Sequence, residues 1–172
     1  VQHTVAVTTE LVPGRHGLKI GRYGRHVGYS DEHPNYGGND EYPPPLVFAA
    51  WALGWCLLSQ ITRYASILKI PVQDARCSVE MDWVLDGSVL RGDVQSACKG
   101  VRSNVFIDSS EASPDQVRRL IQLAERGCFL SQLVSTAVPL DTRVRLNGES
   151  VPLVEEGGPP PVGPPRGSRS PR

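Results

Sequence analysis

Apolar and polar residues change rhythm several times along the chain, and each change predicts an element. Thr4-Val5-Ala6-Val7-Thr8 alternates, which predicts a strand. The segment 12–17, Val-Pro-Gly-Arg-His-Gly, reads as a turn. Leu18 to Tyr29 predicts a second strand, interrupted by Gly21, Gly24 and Gly28. The polar stretch from Ser30 to Pro45 is a loop, long for a compact domain, and long ordered loops often carry function. Its Asp and His side chains are most simply solvated turn formers.

From Leu46 to Ile70 the rhythm becomes that of a helix. Positions 46–58 hold no charge, Pro43 to Pro45 sit where a helix start tolerates proline, and Pro71 stops the run. At 1.5 Å per residue it spans roughly 35 Å. Apolar all round, it predicts a helix buried on every side. A membrane span needs about 20 apolar residues, and Ser59, Gln60, Thr62 and Arg63 interrupt this run too early. A central core helix is the better reading.

Residues 75–85 alternate again, with Cys77, Val79, Met81 and Trp83 on one face and Ser78, Glu80 and Asp82 on the other. Asp86-Gly87 predicts a two-residue hairpin turn, which sets Cys77 opposite Ser96 and Cys98 on the same face at a diagonal. The return strand runs from Ser88 to Lys99 and continues from Val101 to Asp108, past a bulge at Gly100. Ser113-Pro114-Asp115-Gln116 opens a helix with a capping box. Val117, Leu120, Ile121 and Ala124 form its apolar stripe, and Gly127 caps its end. A short helix follows over 129–135, then a last strand over 138–146. From Glu155 onward the chain is Pro, Gly, Ser and Arg, which cannot bury apolar surface and predicts disorder. The expected division is one domain over 1–150 and a tail over 151–172, whose Arg166, Arg169 and Arg172 could meet an acidic partner but are most simply solvated charges.

Composition narrows the function classes. The 172 residues suit one domain of ordinary size, and 40% apolar content is that of a globular protein. Lys plus Arg equal Asp plus Glu at 18 each, which argues against a chain built to hold nucleic acid. Cys56, Cys77, Cys98 and Cys128 form no CxxC or CxxH pair, and His3, His16, His26 and His33 show no ligand spacing, so no metal site is expected. Val1 to Glu10 lacks a basic start followed by an apolar core, the pattern of an export signal. The expected compartment is therefore the cytosol, with reduced thiols.

Two cysteine-bearing segments resemble the OsmC/Ohr family, the osmotically inducible and organic hydroperoxide resistance proteins. Pro45-Leu46-Val47-Phe48-Ala49-Ala50-Trp51-Ala52-Leu53-Gly54-Trp55-Cys56 is similar to the family's proline-led helix of the type L-x-A-A-x-A-x-x-C. Leu120-Ile121-Gln122-Leu123-Ala124-Glu125-Arg126-Gly127-Cys128 matches its second pattern, L-x-x-L-A-E-x-x-C. The resemblance covers roughly residues 1–150. It implies an α+β fold with antiparallel sheets around a long central helix, an intertwined homodimer, and a thiol peroxidase acting on organic hydroperoxides. By that resemblance Cys56 is the attacking cysteine and Cys128 the resolving one, and an external dithiol of the lipoamide type is the reductant, with no bound cofactor.

A thiol attacks a peroxide as thiolate. Burial raises a thiol's pKa, so a cation must offset it. The family takes an arginine from its N-terminal turn, and Gly14-Arg15-His16-Gly17 resembles that turn, which makes Arg15 the candidate. Arginine keeps its charge and offers a donor fork. The family's helix glutamate, which steadies that arginine, is replaced here by Leu46; Glu41, Asp40 and Glu32 are the candidate substitutes. Phe48, Trp51, Trp55 and Phe129 are candidate lining of an apolar substrate pocket. Trp51 and Trp55 stand where the family carries small residues, so a second reading is a non-catalytic small-molecule binder on the same scaffold. A third is another reaction on that scaffold. Taken singly, each candidate has a plainer explanation. Cys77 and Cys98 fit as core residues, a turn arginine as surface charge, and two tryptophans four apart as helix packing.

Overall fold

The computed structural model describes residues 3–153. The expected tail, apart from residues 151–153, lies outside them. The described chain mixes helices with small antiparallel sheets, in the α+β class, and divides into two units at Ala137/Val138.

In the first unit, β1 (Thr8–Leu11), β2 (Lys19–Tyr23) and β3 (His26–Ser30) form a three-stranded sheet in that order. The predicted strand over 18–29 is thus a hairpin. Tyr23 pairs with His26 across Gly24-Arg25, and Gly24 takes a φ of +54°, a conformation that favours glycine. The first strand begins at Thr8 rather than Thr4. No residue of β1–β3 is fully buried.

Pro45–Leu68 forms α1, after an N-cap at Pro44 that offers no side-chain hydrogen bond. The helix stops two residues before its expected end, where Lys69 turns left-handed at φ 55° and its N–H reaches the carbonyls of Ala65 and Ser66. By length and composition the helix could cross a membrane; it packs on the elements that follow it. Its burial differs from expectation. Leu53, Gly54, Leu57, Gln60, Ile61 and Ala65 are buried, whereas Leu46, Trp51 and Trp55 are exposed. Within a single chain only one face of α1 has partners.

Those partners are the β4 (Asp74–Asp86) and β5 (Gln95–Asp108) hairpin, α2 (Pro114–Gly127) and α3 (Phe129–Ser135). The hairpin loop has eight residues, 87–94, rather than two. Asp86 Oδ1 accepts from the Gly87 N–H at 2.9 Å and Asp93 Oδ1 from the Ser88 N–H at 2.7 Å, which knots a wider loop. Cys77 consequently faces Val105, not Ser96, and Cys98 faces Trp83. The register slips between Asp82 and Trp83, opposite Gly100 and Cys98, so the bulge lies where the glycine predicted it. Ser113 and Gln116 form the expected reciprocal capping box of α2. Leu57, Ile61, Leu120, Ala124 and Cys128 make the centre of the core, with Ala75, Cys77, Val79, Met81, Val101, Val105 and Ile107 of the hairpin packed on it.

The second unit, described by itself, holds a hairpin of β6 (Val144–Leu146) and β7 (Glu149–Val151). Asn147 and Gly148 both have positive φ, as a two-residue Asn-Gly turn requires. The strand expected over 138–146 is therefore short and paired.

Candidate functional site

Cys56 sits midway along α1, beside the buried stripe Leu53–Leu57–Gln60, and is half-buried. Cys128 ends α2 and opens α3, serving as C-cap of one and N-cap of the other. Gly127 is therefore the last helical residue rather than the cap. A Cβ there would lie 3.1 Å from the Tyr64 ring and 3.3 Å from Gln60 Oε1. The missing side chain lets the α2–α3 junction press against α1 one turn beyond Cys56.

This junction sets Cys128 in the core cluster on which Cys56 packs, close enough for each thiol to shift the other's ionisation. All four cysteines are reduced. Cys128 is fully buried, and its sulfur accepts the Ser131 N–H at 3.4 Å. Burial opposes its ionisation, but the Ser131 hydroxyl and N–H, the Cys56 thiol and the Leu130 N–H outweigh it and hold Cys128 below the usual thiol range. Cys56 is pushed the other way. Burial dominates, and the neighbouring Cys128 sulfur adds to it; the N–H groups of Leu130 and Phe129 only partly offset the two. Cys77, half-buried on β4, is raised by burial and by charge on Cys128. A third thiol thus faces the same neighbourhood, while Cys98 is exposed.

Arg15 stands in the turn before β2 and pairs with Glu41. Of the three carboxylates considered, Glu41 is the one that meets it. Glu32 instead takes Lys19 Nζ at 2.8 Å, and Asp40 makes no ion pair among the described residues. The 31–41 loop is organised by Asp31, which is buried rather than solvated as its polar surroundings in sequence suggest. Asp31 is fully buried and accepts from the Glu32 N–H at 2.8 Å, the Asn39 N–H at 3.0 Å and the Glu41 N–H at 3.2 Å. A polar loop with an Asp at its head and two glycines within it carried the signal for such a turn. Among the described residues, no hydrogen bond or ion pair joins Arg15 to Cys56 in one chain. Arg15 is also not among the groups that shift the Cys56 thiol.

The four aromatic candidates divide. Phe48, Trp51 and Trp55 form a ladder along α1, the first pair edge-on at 5.5 Å and the second tilted at 5.7 Å. Phe48 lines an open cavity of about 650 Å³ with the β1–β3 sheet. Trp51 and Trp55 line a second, of about 610 Å³, with Cys77, Met81 and Trp83. Neither cavity is lined by Cys56 or Cys128. Phe129 is 70% exposed on α3 and joins neither. Among the described residues no His, Cys, Asp and Glu cluster is arranged to hold a metal ion.

Comparison with known proteins places this geometry. The family model for OsmC-like proteins matches residues 37–143. No curated protein matches the sequence. Among solved structures, an OsmC-like hydroperoxide resistance protein from Jannaschia sp. CCS1 is 22% identical, with 78% of this chain and 85% of that one covered and a TM-score of 0.58. An organic hydroperoxide resistance protein from Legionella pneumophila is 18% identical, with 77% and 91% covered and a TM-score of 0.56. An OsmC-like protein from Mycoplasma pneumoniae is 13% identical, with 78% and 89% covered and a TM-score of 0.64. At these identities the likeness is one of fold.

Proposed function

This chain belongs to the OsmC-like family, and from that premise we propose that it is a thiol-dependent peroxidase that reduces organic hydroperoxides. The observation that carries the reading is the pairing of a half-exposed Cys56 with a buried Cys128 in the core cluster on which Cys56 packs. A peroxide entering from solvent meets Cys56 first. The Cys56 thiolate attacks the outer peroxide oxygen, the O–O bond breaks, and the alkoxide takes a proton and leaves as alcohol. Cys56 is then a sulfenic acid. The Cys128 thiolate attacks the Cys56 sulfur, hydroxide leaves and is protonated to water, and a Cys56–Cys128 disulfide forms. An external dithiol of the lipoamide type reduces it and becomes a disulfide in turn.

The first step needs a cation beside Cys56, because burial opposes its thiolate. We assign that role to Arg15 of a second copy in an intertwined homodimer. Three features support it. Arg15 makes no hydrogen bond or ion pair with Cys56 of its own chain, one face of α1 is unpartnered, and no residue of the β1–β3 sheet is buried. Glu41 takes the place of the family's helix carboxylate in holding the guanidinium.

The test is consumption of tert-butyl hydroperoxide with dihydrolipoamide by the parent and by Cys56→Ser. The parent turns over, and the variant falls to the rate of buffer and dithiol alone. Equal rates would remove Cys56 from the chemistry. A second reading, a small-molecule binder on this scaffold, draws on the cavity lined by Trp51, Trp55 and Trp83, which excludes both Cys56 and Cys128. It predicts tryptophan fluorescence that responds to apolar ligands while hydroperoxide consumption stays at background.

A further inference from the structure

We infer that Asp31 is a positioning residue for Arg15, a buried carboxylate that folds the 31–41 loop so that Glu41 meets the guanidinium. The inference deepens the peroxidase reading and rests on it for its consequence in catalysis. The loop closes on Asp31 from three sides. Its Oδ1 takes the Glu32 N–H, and its Oδ2 takes both the Asn39 and Glu41 N–H groups, at 3.0 and 3.2 Å. The last of these bonds fixes the backbone of the residue that pairs with Arg15. With these bonds a fully buried carboxylate is satisfied by three main-chain donors, an arrangement that water would otherwise have to supply.

The turn that carries Arg15 is docked on the same loop. A Cβ at Gly17 would lie 2.7 Å from Gly38 Cα and 3.0 Å from Asp31 Oδ1, and one at Gly38 would lie 2.0 Å from the Glu32 carbonyl oxygen. Only glycines permit so close an approach. Lys19 Nζ bridges the two segments, donating to the Gly17 carbonyl and the Glu32 carboxylate at 2.8 Å each. Asp31 therefore sits where the arginine turn and the glutamate end of the loop converge. It touches neither the guanidinium nor the thiols, and acts through Glu41.

Three variants of the full chain, Asp31→Asn, Glu41→Gln and the double, test this. The amide keeps the shape of the carboxylate but sets an NH2 group against at least one main-chain donor. The Arg15 Nη2–H signal in low-temperature NMR, separated from those of free arginines in the parent because Nη2 pairs with Glu41, moves to the free position in Asp31→Asn and in Glu41→Gln alike, with no further change in the double. Oxidation of Cys56 by tert-butyl hydroperoxide slows in both single variants by a similar factor, on the order of tenfold to 100-fold, and the double is no slower. An Asp31→Asn protein that keeps the parent's Arg15 signal and rate overturns the inference, as does a double whose losses multiply. Hydrogen exchange of the parent covers the case in which Asp31→Asn does not fold. The Asn39 and Glu41 amides exchange slowly if Asp31 holds them, and exchange at free-loop rates contradicts the assignment. A parent that consumes no hydroperoxide sinks the peroxidase reading alone, because the Arg15 signal and the two amides still report the positioning.

Discussion

The two neighbouring sulfurs meet opposite environments, and the one proposed to attack is the one that needs outside help to ionise. At Cys128 the first turn of α3 supplies donors that outweigh burial, while at Cys56 burial prevails. The same contest is settled at Asp31, where burial favours the neutral acid but three main-chain N–H groups and the charge of Lys19 favour the carboxylate and lower its pKa. A carboxyl whose folded-state pKa lies below its unfolded one stabilises the fold above the unfolded value, about 3.9, and loses that contribution as pH falls through the lowered value. The parent should thus melt higher than Asp31→Asn by a constant margin above about pH 5, and the margin should close as pH falls below about 4. Calorimetry over pH 3–7 measures it; a margin unchanged at pH 3 would mean that Asp31 is not ionised in the fold.

At the scale of elements, α1 is both core and platform. Leu57 is 1% exposed and lies one position from Cys56. Leu57→Ala should cost about 2–5 kcal/mol in urea unfolding, because the cavity sits between rigid elements. A loss under 1 kcal/mol would mean that the helix is not packed as described. Much of this was legible beforehand: α1, the capped α2, the cysteine at each helix and the bulge beside Gly100 all follow from local pattern. What was not legible depends on contacts distant in sequence or on turns too short to interrupt the hydrophobic pattern. The Gly24-Arg25 turn lies inside a run with the composition of one strand, and Asn147-Gly148, a pair that favours a tight hairpin, turns the chain at the end of the strand expected over 138–146. The hairpin loop at 87–94 widened because Asp93 ties back to Ser88, a contact that Asp86-Gly87 alone does not announce. Asp31 reads as solvated until the fold wraps 39–41 around it.

For the whole molecule, the apolar surface left open by one chain is the informative quantity. Trp51 and Trp55 are 43% and 58% exposed on α1, and Trp83, Val84 and Leu85 are exposed on the hairpin. Apolar periodicity predicts burial of a helix face without saying which chain covers it, which is why α1 read as buried on all sides. If a second copy supplies the cover, sedimentation should give twice the 18.7 kDa of one chain. Trp55→Glu, which sets a charge in that face, should shift the protein towards the single-chain mass and slow hydroperoxide consumption with it. A fully active monomer would show that Arg15 of another copy is not needed.

The proposed pairing of Cys56 with Cys128 is open to direct measurement. One equivalent of tert-butyl hydroperoxide is added to the reduced protein, free thiols are counted, and the new linkage is mapped by peptide mass spectrometry. The four thiols should fall to two, with a single linkage between Cys56 and Cys128 that Cys128→Ser replaces with a sulfenic acid on Cys56. Four thiols remaining, or a linkage that omits Cys56, would contradict the account.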